Sequence, residues 1–141
     1  MLTPGFSSGV GYVGSHLIGS FASQYNVLGF DISEAKIQTV KESYENMNHV
    51  KFATNPSALT QATHFLIAVP TLLLPDKTID SSYLREAIKT IGIYARSGAT
   101  IVVESSVAVG MTRKLLGPLA SARGIFVGMS PEVRFPLSRF T

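Results

Sequence analysis

A chain of 141 residues, 45% hydrophobic and 15% charged, is long enough and apolar enough for one domain with a packed core, and that balance argues against disorder. A formal net charge of +3 with no accompanying motif gives no reason to expect nucleic acid as a partner. The absence of cysteine excludes disulfides, thiolate metal sites and a cysteine nucleophile within these residues.

The first eight residues, Met1 to Ser8, include Pro4, Gly5, Ser7 and Ser8. Proline cannot donate to a ladder, and glycine and serine are poor strand formers, so a first strand is expected to be altered or missing here. Gly9-Val10-Gly11-Tyr12-Val13-Gly14 follows, a G-x-G-x-x-G run. In such a run the first glycine allows a tight turn and the second leaves room for a pyrophosphate. The third lets the next helix pack close to a strand. Ser15 to Ser23 carries Leu17, Ile18, Phe21 and Ala22 on one helical face. The N-terminus of that helix would offer N–H groups and partial positive charge to phosphates. Tyr25 to Asp31 reads as a strand, with Asp31 about 20 residues past the first glycine, where a ribose-binding acid is expected.

Ser33 is placed to cap a helix reaching Tyr44. His49 to Ala53 is a short strand, and Asn55-Pro56 opens a short helix to about Thr60. Phe65 to Val69 is continuously apolar, as a buried parallel strand should be, and Pro70 stops it. Leu72 to Asp80 reads as a loop. Leu84, Ala87, Ile88, Ile91 and Ala95 then mark an amphipathic helix capped near Asp80 to Ser82. A strand over Ala99–Val103, a helix over Gly110–Ala122 and a short strand over Ile125–Val127 complete the alternation. The alternation predicts an α/β fold, a Rossmann-like doubly wound parallel sheet, over residues 1–132, with 133–141 an irregular tail. Ligands of such sheets bind outside the carboxyl ends of the strands. The unusual short motifs fall there: Asp31, Val69-Pro70-Thr71, Glu104-Ser105-Ser106 and Ser130-Pro131-Glu132.

No apolar run approaches the ~18 residues of a membrane span. No basic-then-apolar leader opens the chain, so a cytoplasmic location away from membranes is expected. After Ser105 the sole acid is Glu132, against Arg113, Lys114, Arg123, Arg134 and Arg139, which suggests a solvated basic edge. His16, His49 and His64 have no metal-ligand spacing, so no metal site is expected. A weak first strand predicts either a marginal monomer or a homo-oligomer that covers exposed sheet edges.

In this order the motifs resemble the N-terminal, NAD-binding domain of the UDP-glucose/GDP-mannose dehydrogenase family, the nucleotide-sugar 6-dehydrogenases. The resemblance runs from about Gly9 to Glu132. It includes the Tyr12-Val13 of the fingerprint, Val69-Pro70-Thr71 with Leu72 for the usual proline, and Glu104-Ser105-Ser106 with serine for threonine. Val109-Gly110-Met111-Thr112 and Ser130-Pro131-Glu132 complete it. The resemblance implies NAD as cofactor, held by Gly9, Gly11, Tyr12, Val13, Gly14, Asp31, Val69, Pro70 and Thr71. Asp31 would take both ribose hydroxyls and favour NAD over NADP. It also implies a nucleotide-sugar substrate whose C6 alcohol is oxidised to a carboxylate. Ser106 would position a water, Glu104 would lie near the nicotinamide end, and Glu132 would stand beside water and substrate.

The match fails after Glu132, where Val133-Arg134-Phe135-Pro136-Leu137 departs from the family pattern. The family's catalytic cysteine, connecting helix and second domain do not occur in these residues. The resemblance therefore implies a cofactor domain incomplete for catalysis alone. Two alternatives stand beside it. One is a truncated member that holds a dinucleotide or a partner without chemistry. The other is a degenerate cofactor domain that uses Glu104, Ser106 or Glu132 on another small molecule.

Overall fold

The computed structural model describes residues 5–130. Six parallel strands form one sheet: β1 (Gly5–Ser8), β2 (Val27–Phe30), β3 (Val50–Ala53), β4 (His64–Ile67), β7 (Thr100–Val103) and β8 (Phe126–Met129). Their order is β3-β2-β1-β4-β7-β8. β5 (Leu72–Leu73) and β6 (Ile79–Asp80) pair antiparallel as a separate hairpin. The helices are α1 (Tyr12–Ala22), α2 (Glu34–Lys41), α3 (Ser82–Tyr94) and α4 (Met111–Arg123), with 3-10 turns at Glu42–Tyr44 and Pro56–Gln61. This is the doubly wound order of a dinucleotide-binding fold, with its reversal at the β1/β4 boundary.

The first strand requires a correction. It is altered in composition but not missing: Gly5–Ser8 lies in the middle of the sheet. Phe6 sits opposite Leu28 on one side and Phe65 on the other. Intrinsic preference disfavours Gly-Phe-Ser-Ser as a strand, but ladders on both sides override a propensity scale that spans only ~1 kcal/mol. Pro4 lies outside the described residues, as do Pro131 to Thr141, which include Glu132 and the expected tail.

The sheet separates two cores because side chains alternate across it. Val27 joins the smaller one with Val10, Ile18, Ala22, Ile37 and Val50. Leu28 and Phe30 point to the larger one, which holds Leu59, Phe65, Ile67, Leu84, Ile91, Ile101, Val103 and Leu116. Helices therefore cover both faces, and β2 is buried along its whole length. Ser33 caps α2 as expected, its side chain accepting from the Lys36 N–H. Asn55 caps the following turn, accepting from the Ser57 N–H, but that turn is 3-10 rather than α. The segment read as a loop, Leu72 to Asp80, contains the β5–β6 hairpin. Asp76 fastens its tip by accepting from the Thr78 N–H at 3.0 Å and the Thr78 hydroxyl at 2.6 Å. β4 ends at Ile67, short of Pro70, and the Val69 carbonyl beyond it accepts from the Ser105 hydroxyl instead of a ladder N–H.

Candidate dinucleotide cleft

The carboxyl ends of β1, β2, β4 and β7 open on a cleft of about 720 Å³, within the ~300–1,000 Å³ typical of small-molecule sites. Its floor is the glycine turn. Gly9 has φ +89°, and a Cβ built on it would stand 2.6 Å from the Ala68 carbonyl oxygen and 3.2 Å from Val69 Cγ1. Only glycine fits between β1 and the end of β4. The Gly9 N–H donates to the Phe30 carbonyl at 3.0 Å, which ties the turn to β2 as well. Gly11 is different. It is the N-cap of α1 in an ordinary extended conformation, and a Cβ there would meet nothing within 4 Å. The space above Gly11 is therefore open toward the cleft. α1 begins there with no side-chain cap and no acid in its first turn. An uncapped helix start bordered by an open glycine is the arrangement a phosphate needs.

Asp31 stands at the end of β2, 6% exposed. Its Oδ2 accepts from the Val10 N–H at 3.0 Å and its Oδ1 from the Ser33 N–H at 2.9 Å. Lys36 Nζ lies 3.8 Å from Oδ2. The carboxylate thus clamps the glycine turn to the start of α2, a structural duty additional to any ligand. Each carboxylate oxygen has further acceptor capacity, so two ribose hydroxyls can still be received.

The opposite wall comes from β4 and β7. Thr71 Oγ1 donates to the Ser106 carbonyl at 2.8 Å, and Ser105 Oγ donates to the Val69 carbonyl at 2.6 Å. The Glu104 N–H donates to the Ile67 carbonyl at 2.9 Å. These bonds lock the two strand ends together, so Val69, Pro70, Thr71, Glu104 and Ser106 present one rigid surface.

Of the residues singled out from sequence, Gly9, Gly11, Tyr12, Val13, Asp31, Val69, Pro70, Thr71, Glu104 and Ser106 all line this cleft. Gly14 does not. It is buried within α1, which packs on β1 and β2, the helix-packing part given to the third glycine. Glu132 lies outside the described residues. Ser105, quoted from sequence as part of its motif without a role of its own, is buried and serves as the strand-end tie. Several cleft residues escaped the sequence reading. Ile32 and Lys36 follow Asp31 on its own lip, and Glu86 and Thr90 face in from α3. Their spacing of four along a helix could have flagged them as one face, but nothing in the sequence says that this face meets a cleft. Among the described residues no group of three or more His, Asp or Glu could hold a metal, and no helix is long and apolar enough to cross a membrane.

Comparison with known proteins agrees with this geometry. The chain is 33% identical to the UDP-N-acetyl-D-mannosamine dehydrogenase of Salmonella typhi, over 91% of this chain and 32% of that protein. It is 31% identical to Protein CapL of Staphylococcus aureus, over 88% of this chain and 33% of that one. The chain thus spans about a third of the length of the curated relatives it matches. The solved UDP-D-ManNAc dehydrogenase from Pyrococcus horikoshii superposes with a TM-score of 0.84 at 27% identity, covering 95% of this chain and 37% of that one. The model of the UDP-glucose/GDP-mannose dehydrogenase family, NAD binding domain, matches residues 43–136, two-thirds of these residues. The chain belongs to the UDP-glucose/GDP-mannose dehydrogenase family, in the part that forms its NAD binding domain.

Proposed function

We propose that these residues hold NAD for a nucleotide-sugar 6-dehydrogenase and do not oxidise the sugar by themselves. The observation that carries the reading is the contrast between two glycines two positions apart. A Cβ on Gly9 would strike the end of β4, while one on Gly11 would meet nothing within 4 Å, at an uncapped helix start on the cleft. Packing explains the first glycine but not the second; a pyrophosphate lying against the backbone explains the second. Asp31 then stands at the distance from the turn where the adenosine ribose falls, and it favours NAD over a cofactor with a 2′-phosphate. The wall of Val69, Pro70, Thr71, Glu104 and Ser106 takes the nicotinamide half. Ser106 and Glu104 line the same cleft as the glycines, which suits groups that meet substrate beside the nicotinamide.

The relatives act, by their names, on UDP-N-acetyl-D-mannosamine and UDP-N-acetyl-D-glucosamine, so a UDP-N-acetylhexosamine is the substrate class expected of the whole protein. Bound dinucleotide supplies hydride acceptance. The residues described here bind it, orient it and shield one face. Two oxidations at one carbon require the aldehyde to be held between steps, and no thiol is present among these 141 residues to hold it. A sugar nucleotide bound to one wall alone would also lack the positioning that supplies up to ~7–11 kcal/mol in well-oriented systems.

The test has two readouts. In amide NMR spectra, NAD should move Gly9, Gly11, Ile32, Val69 and Thr71 and leave β8 and the outer face of α4 unmoved. With UDP-N-acetylmannosamine and NAD the 141 residues should form no NADH. Shifts confined to residues away from the cleft would refute the binding reading, and stoichiometric NADH would refute the claim that chemistry needs more chain.

A further inference from the structure

We propose that β8 is a self-association edge: it pairs antiparallel with β8 of a second copy about a two-fold axis at Val127, so that Phe126 of each copy covers the partner's Gly128. The inference is independent of what the cleft binds. The sheet has two outer strands, β3 and β8, and among the described residues nothing pairs with the outer side of either. β3 reads Val50-Lys51-Phe52-Ala53 and carries an exposed lysine, Lys51, a common guard against edge-to-edge pairing. β8 reads Phe126-Val127-Gly128-Met129. It has no charge and no proline, and it leaves Phe126 69% and Met129 44% exposed. Val127 packs toward the larger core, so Phe126 and Gly128 face the other way. On that side α1 and α2 pack over β1, β2 and β3 instead.

The backbone and the side chains select the register together. The Phe126 and Ser130 N–H groups donate inward, to the Ala99 and Val103 carbonyls at 2.9 and 3.0 Å. Alternation therefore turns the N–H and C=O of Val127 and Met129 outward. Two Val127 residues set opposite each other exchange both bonds, and Phe126 then stands across from the partner's Gly128. Registers centred on Gly128 or Met129 also match outward groups, but they leave Phe126 past the end of the partner's β8. The seat at Gly128 is open. Gly128 lies level with Val102 of β7, and the nearest atom to a Cβ built on it is Val102 Cγ2, at 3.9 Å. An aromatic ring laid over an edge glycine supplies the cross-strand contact that glycine lacks. Four paired residues and one ring per copy fall well short of the ~800 Å² per partner of a standard interface. α4, which packs beside β8, also carries Arg113, Lys114 and Arg123 with no acid, so two copies repel there. The pair is therefore weak, half formed on the order of 0.1 mM.

The experiment is sedimentation equilibrium of the 141-residue chain from about 5 μM to about 1 mM, in about 0.5 M sodium chloride to screen the basic helices. A monomer–dimer equilibrium is expected. Phe126→Lys gives β8 the guard that β3 has, and it should weaken the dimer at least about tenfold. It should leave the melting temperature of dilute protein unchanged, because the side chain it replaces is already exposed. Ile93→Lys makes the same change at an exposed residue of α3 and should leave association unchanged. In a mixture of labelled and unlabelled chains, isotope-filtered NMR should show a cross-peak between the Phe126 ring and the α-protons of the partner's Gly128. That cross-peak is read on the unmodified chain, so it decides even where a variant fails to fold. A monomer at every concentration, a dimer without the cross-peak, or a dimer undiminished by Phe126→Lys would overturn the assignment. Equal weakening by Ile93→Lys would overturn it as well, as would protection of the Val127 amide from exchange that does not change with concentration, since the edge would then be covered within one chain.

Discussion

The two glycines of the turn should fail differently when each gains a methyl group. Gly9→Ala places a Cβ at 2.6 Å from the Ala68 carbonyl oxygen, on a backbone with φ +89°. The conformational cost for a non-glycine residue there is ~1–3 kcal/mol. The clash adds ~1–3 kcal/mol. Ala68 cannot easily withdraw, because the carbonyls on either side of it are engaged: Ile67 accepts from Glu104 N–H and Val69 from Ser105 Oγ. The sum, ~2–6 kcal/mol, is a large share of a domain's ~5–15 kcal/mol. At about 3 °C per kcal/mol for this size, Gly9→Ala should lower the melting temperature by about 6–18 °C. Gly11→Ala meets no atom within 4 Å and keeps an ordinary φ of −84°. Its cost is limited to the weaker N-cap preference of alanine, no more than ~1 kcal/mol. Circular-dichroism melts of the two variants beside the parent decide the matter. Equal destabilisation by both substitutions, or none by Gly9→Ala, would refute the assignment of Gly9 to packing and Gly11 to open space.

Asp31→Ala should destabilise by about 2–4 kcal/mol in urea unfolding, because it strands the buried Val10 N–H and frees the Ser33 N–H; an unchanged midpoint would contradict the clamp. Lys36→Ala should sharpen the preference for NAD over NADP in binding competition, since the cation 3.8 Å from Asp31 Oδ2 offsets repulsion of a 2′-phosphate; an unchanged ratio would remove Lys36 from the account. Ser105→Ala should cost about 1–2 kcal/mol, read by chemical denaturation, through loss of its 2.6 Å bond to the Val69 carbonyl. The Asp76 carboxyl is held below its ordinary value of 3.8 by the Thr78 hydroxyl and then the Thr78 N–H. Its folded value is the lower one, so the hairpin contact is fully present above about pH 4 and is lost as pH falls below 3.8. The Thr78 amide resonance should titrate with a midpoint under 3.8, and a midpoint at or above that value would contradict the contact.

The fold was legible where burial on both faces leaves a plain trace. Phe65 to Val69 reads as a buried parallel strand because helices cover both sides of the sheet, and its ladder runs to Ile67. Leu84, Ile88 and Ile91 read as a helix face because they point into one core. β1 was not legible as a strand, since Gly-Phe-Ser-Ser has no local preference for one. Its pairing is supplied by β2 and β4, which lie about 20 and 60 residues further on, a non-local effect that propensity scales do not contain. The hairpin at Leu72–Asp80 was missed for a related reason, because its strands are two residues long and its tip depends on Asp76 and Thr78. Much of the lining of the candidate cleft was legible as well. Strand-end motifs announce themselves by breaking the apolar pattern, as at Asp31, Pro70-Thr71 and Glu104. What sequence could not supply was the third wall, because the cleft-facing side of α3 is an amphipathic helix like any other until the sheet order is known.

On the reading proposed above, the open glycine at the start of α1 is there for a dinucleotide. The most direct test is calorimetric titration of NAD into the parent chain and into Gly11→Ala, both first shown to unfold cooperatively. Saturable binding of one NAD per parent chain is expected, with an affinity roughly 10- to 100-fold lower in Gly11→Ala, the effect of a ~1–3 kcal/mol clash. No saturable heat from a folded parent chain, or equal affinities for the two, would contradict it.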